Sequence, residues 1–106
     1  EVCSQMSHPF GKLNRGQILD EAKRLTMGER EQEYGEPVES YTRAVTAFNA
    51  LTGHNLKPHQ GALFMEILKA DRFEQSPLHL DTAYDGPAYC AIKGEIAHAT
   101  LPKSEE

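Results

Sequence analysis

No tryptophan occurs among the 106 residues, cysteine occurs only twice, and 11 Lys and Arg face 16 Asp and Glu. Each shortage excludes something. Cys3 sits in a polar terminal stretch and Cys90 in a predicted helix, so the pair makes no disulfide framework and reduced thiols are expected. The formal net charge of -5 and the scatter of the basic residues argue against a duplex nucleic-acid binder, which works by neutralising phosphates. A small anionic ligand in a local basic pocket stays open. No apolar run approaches the ~18 residues of a membrane span, and the N-terminus lacks the apolar segment of a secretory signal. The expected compartment is therefore the cytoplasm, with no membrane partner. GxSxG, P-loop, GxGxxG, HExxH and CxxC are all absent, which removes the common nucleophile-elbow, nucleotide-loop and zinc-ligand signatures. There is also no internal repeat and no convincing strand signal.

What remains is a globular composition, with 39% hydrophobic and 25% charged residues and a mean hydropathy of -0.58. Its length suits one small domain. Hydrophobic spacing predicts an all-α chain, a compact four-helix bundle-like domain over residues 14–101. An N-terminal tail or strap (1–13) precedes it and a short polar tail (102–106) follows.

Asn14 is a candidate N-cap for a first helix carrying Ile18, Leu19, Ala22 and Leu25 at helical spacing, ending near Thr26 to Gly28. The polar segment from Gly28 to Pro37 reads as a turn leading into a second helix, Pro37 to Leu51, with Val38, Tyr41, Val45 and Phe48 on a narrow stripe. Tyr34, at that corner, either packs its ring or contacts a bound base or sugar. Lys57-Pro58 opens a third helix, apolar over much of its circumference from Ala62 to Phe73 and expected at the centre of the core. A fourth begins near Leu80 or Asp81 and runs towards Thr100. Pro87 admits two accounts: Asp85 caps a helix beginning at Gly86-Pro87, or the helix starts at Asp81 and kinks at Pro87.

The residues able to do chemistry gather between Leu63 and Tyr89. Lys69 and Arg72, three apart on one helical face, either snorkel to water or grip phosphate oxygens. Asp81 and Asp85 at i, i+4 repel unless solvated or bridged by a cation, so a Mg²⁺ site fits them, as does helix capping. His79 precedes them as a phosphate donor or an exposed loop residue, and Glu66 is a metal ligand, a partner for Lys69 or a surface group. His54 and His59, without a cysteine at ligand spacing, make a weak transition-metal site.

In order and spacing these residues resemble a family of small phage and prophage helical proteins of unassigned function. The matching residues are Ile18 to Ala22, Tyr34-Gly35-Glu36-Pro37, Leu68-Lys69 with Arg72, and Pro77, His79, Asp81, Asp85 and Tyr89, so the resemblance covers roughly residues 17 to 97. That family is distantly similar to MazG-like all-α nucleotide pyrophosphohydrolases and to phage nucleotide-modification-associated helical proteins. The resemblance implies a Mg²⁺-dependent helical assembly that binds or cleaves a nucleoside triphosphate or modified nucleotide in the cytoplasm of an infected bacterium. On that reading Asp81 and Asp85, with Glu66 or Glu39, hold Mg²⁺. Lys69 neutralises the leaving phosphate with Arg72, and His79, Tyr34 or Tyr89 contacts the nucleotide. The sequence departs from the MazG-like pattern in having neither E-x-x-E nor E-x-x-D cleanly in the expected places and in carrying Gly86-Pro87, a departure that bears on catalysis more than on binding. The rival readings are a non-catalytic nucleotide-sequestering protein and an interaction protein that inhibits a host factor. The uncovered apolar surface of the third helix leads us to expect at least a homodimer.

Overall fold

Helix-end chemistry sets the element boundaries. In the computed structural model, which describes residues 13–103 apart from the side chains at 29, 30 and 34, five helices follow in order. They are α1 (Arg15–Met27), α2 (Glu29–Tyr34), α3 (Pro37–Thr52), α4 (Pro58–Gln75) and α5 (Leu80–Thr100), with no strand among the described residues. The all-α architecture of four long helices is as expected. Cys3, His8 and the expected tail up to residue 12 lie outside the described residues.

Asn14 caps α1 reciprocally: its Oδ1 accepts from the Gln17 amide at 2.9 Å, and Gln17 Oε1 accepts from the Asn14 amide at 3.0 Å. Two orphan donors are satisfied together. The stretch from Gly28 to Pro37, read as a turn, holds the six-residue helix α2, too short for its periodicity to stand out from a charged sequence. The end of α2 then explains Tyr34-Gly35-Glu36-Pro37 physically. Gly35 takes φ 90° with its amide donating to the Glu31 carbonyl, the Glu36 carboxylate accepts from the Glu39 amide at 3.1 Å, and Pro37 occupies the first turn of α3. After α3, Asn49 clamps the connection by accepting from the Leu56 amide at 3.0 Å and donating to the Leu56 carbonyl at 3.1 Å.

The core is small. Among the described residues its buried apolar members are Ala22 of α1, Val45 of α3, Ala62 of α4, and Ala88 and Ile96 of α5. The expectation that α4 forms the centre is corrected: α5 packs against α1, α3 and α4, while Phe64, Ile67 and Phe73 of α4 stay exposed. A helix apolar on most sides shows no preferred face, and here the buried face is the one carrying Ala62 and the polar residues Glu66 and Lys69.

Helix α5 starts at Leu80 and runs through Pro87 without interruption, so the account in which Asp85 caps a later helix is set aside. Pro87 has no amide hydrogen for the Ala83 carbonyl, and the two residues share one side of the helix. Helices α4 and α5 are antiparallel. Their cross-links Lys69 to Asp85 and Glu66 to Lys93 run in opposite order along the chain.

Candidate functional site

The α4–α5 hairpin brings opposite charges together inside the packing. Asp85 is the one buried charged residue among those described, 8% exposed, and its Oδ2 lies 3.0 Å from Lys69 Nζ. Burying either charge alone would be costly, and the partner offsets that cost. One turn earlier on α4, Glu66 Oε1 lies 2.7 Å from Lys93 Nζ. This contact holds the Lys93 ammonium above its usual range, chiefly through the hydrogen bond to Glu66.

Beside these pairs an open groove of about 580 Å³ runs between α1, α4 and α5. Glu66, Lys69 and Glu74 supply its polar wall, while Ile18, Phe73, Ala83 and Pro87 supply much of its apolar wall. A groove of this size, mostly apolar with a few convergent polar side chains, suits a small ligand. Lys69 offers three N–H donors, of which Asp85 occupies one.

The other expected site residues are dispersed. Arg72, His79 and Asp81 are exposed and do not line the groove. Asp81 sits in the first turn of α5, where the helix dipole favours a carboxylate, and His79 occupies the N-cap position without a side-chain capping bond. Glu39 is an exposed first-turn residue of α3. Among the described residues no three His, Cys, Asp or Glu side chains come close enough to hold a metal, so Asp81, Asp85, Glu66 and Glu39 do not form one cluster. His54 instead stacks on Phe48, ring centroids 5.8 Å apart. The Tyr34 side chain lies outside the described residues.

Tyr89 faces elsewhere, into a second pocket of about 120 Å³ beside Thr26, Glu31, Pro37 and Tyr41. Burial, and then the neighbouring Tyr89, push the Tyr41 phenol up to about 12. Lys93 escaped the sequence reading. Its only signal was a cation between Ile92 and Gly94 in an otherwise apolar stretch, and its partner on α4 is invisible without the register of the hairpin.

Residues 17–97 match a domain of unknown function, DUF6378. The chain belongs to the DUF6378 family. The matched span covers every residue named above as lining the groove and both ion pairs, so the candidate site is internal to the DUF6378 domain. The chain is also similar to the Gene 55 protein of Mycobacterium phage L5, 33% identical over 89 residues, which are 83% of this chain and 55% of that protein. It thus spans about half the length of this curated, phage-encoded relative. No solved structure matches. Within the described part of the DUF6378 chain, no helix is long and apolar enough to cross a membrane.

Proposed function

We propose that this protein binds a nucleotide in the α1–α4–α5 groove, its phosphates against Lys69 and its flatter, less polar part against Phe73, Ile18 and Pro87. The observation that carries the reading is the Lys69 ammonium in the groove wall, held 3.0 Å from the buried Asp85. Asp85 fixes the ammonium in place and leaves two of its donors for phosphate oxygens. A resident Mg²⁺ does not fit the described residues, because Asp85 and Glu66 are each matched to a lysine and no third ligand stands near. Mg²⁺ belongs to this reading as a companion of the ligand's own phosphates, its usual mode with nucleotides. The protein then acts as a sequestering binder.

A second reading, a MazG-like pyrophosphohydrolase releasing a monophosphate, draws support from a buried carboxylate paired with a cation beside the groove. One experiment separates the two: incubation with a panel of nucleotides, with Mg²⁺ or with chelator, followed by calorimetry and chromatography of the products. Tight binding with the nucleotide recovered intact is expected. Metal-dependent monophosphate release that disappears in Asp85→Asn moves the assignment to the hydrolase, and failure to bind any nucleotide overturns both. In the same assay Lys69→Gln is expected to weaken binding roughly ten- to hundredfold, the worth of one charge-assisted contact. Arg72→Gln, outside the groove, leaves it unchanged.

A further inference from the structure

Among the described residues, the closest contacts of helix α4 with its neighbours lie on one side. Gly61 lies against Tyr41 and Val45 of α3, and Glu66 and Lys69 pair with α5. At 3.6 residues per turn the opposite side carries Gln60, Phe64, Ile67, Asp71 and Glu74, with Lys57 at the N-cap in line with them. Phe64 is 66% and Ile67 56% exposed, a large apolar centre left in water on a chain whose buried apolar residues, among those described, are three alanines, one valine and one isoleucine.

The order of residues along this face is self-complementary. Laid antiparallel on a second copy about a two-fold axis between Phe64 and Ile67, each Phe64 meets the other Ile67. Lys57 then falls opposite Glu74, and Gln60 opposite Asp71. A basic N-terminal end thus meets an acidic C-terminal end twice, flanking an apolar middle, which is the pattern of an isologous helix pair. A parallel pairing would set Glu74 against Glu74 and Lys57 against Lys57.

We propose that the exposed face of α4 is a homodimer interface, in which two α4 helices pack antiparallel through Phe64 and Ile67 with Lys57–Glu74 pairs at both ends. Phe64 and Ile67 at the centre of this face are not part of the groove wall, whereas Glu74 at its end is, so the Phe64 and Ile67 variants test association separately from nucleotide binding.

Light scattering and sedimentation test it on the full chain. The expected mass is twice the 11.8 kDa of one chain, falling to one chain in Phe64→Glu and in Ile67→Glu. Circular dichroism should show that helix content is kept in both. Lys57→Glu and Glu74→Lys should each weaken association roughly tenfold, and the double exchange should restore it, because each swapped end again meets its opposite. A monomeric wild type at concentrations up to about 100 µM overturns the proposal. So does a dimer indifferent to Phe64→Glu, or a double exchange weaker than either single one.

Discussion

At the scale of single residues, the Lys69–Asp85 pair is where charge, burial and geometry coincide. Removing one member leaves the other charged and desolvated, so Asp85→Ala is expected to destabilise the fold by about 3 kcal/mol in denaturant melts. Replacing both residues with apolar ones of similar volume, Lys69→Met with Asp85→Leu, should recover most of that loss. A double variant as unstable as Asp85→Ala alone would mean that the pair does more than neutralise itself. Tyr41 offers a separate test. Its folded pKa, about 12, lies above the unfolded value near 10, so the folded state holds the proton more tightly. The stability this contributes is fully present below about pH 10 and is lost as pH rises towards 12. Phenolate absorbance should show a late-titrating tyrosine that vanishes in Tyr41→Phe. Tyr89→Phe should lower the Tyr41 midpoint only modestly, because burial is the larger cause.

At the scale of helices, two glycines of similar appearance in sequence have opposite roles. A Cβ built on Gly61 would stand 3.0 Å from Val45 Cγ2 and 3.1 Å from Tyr41 Cδ1, whereas one on Gly94 meets nothing within 4 Å. Both are in helices, where alanine gains about 0.5 to 1 kcal/mol over glycine. Gly94→Ala should therefore stabilise by that amount. Gly61→Ala should lose more than it gains, because the α3–α4 approach must open by a few tenths of an ångström, and overpacking costs about 1 to 3 kcal/mol. Thermal melts of the two variants should move in opposite directions. The helices themselves were largely legible in the sequence. Asn14, Gly53 with φ 79°, Pro37 and Pro58 are local devices that act on their own turn of chain. The faces were not legible for α4, where apolar residues on nearly every side hid which side packs.

At the scale of the whole molecule, few large side chains among the described residues are buried and many are exposed. Leu51 is 87% and Leu78 93% exposed, and Phe64 and Ile67 of α4 are exposed as well. A chain stabilised partly by a second copy melts at a temperature that depends on its concentration. The melting temperature is accordingly expected to rise with protein concentration for the wild type and to stay constant for Phe64→Glu. A wild-type melting temperature independent of concentration would assign the stability to the single chain.

The amino-acid sequence by itself determined the properties that depend on near neighbours. These are the all-α class, the caps, the break between α4 and α5, and the clustering of chemically active residues between Leu63 and Tyr89. Each arises from interactions within a few residues, which spacing and residue type record directly. Only the tertiary structure decided the pairings. Lys69 meets Asp85 rather than Glu66, Lys93 enters the site, Tyr89 turns to a different pocket, and Asp81 and Glu39 remain at the surface. Those outcomes depend on the register of two antiparallel helices. One residue of slip would rotate each side chain about 100° around its axis, and the energy that sets the register comes from contacts between residues far apart in the chain.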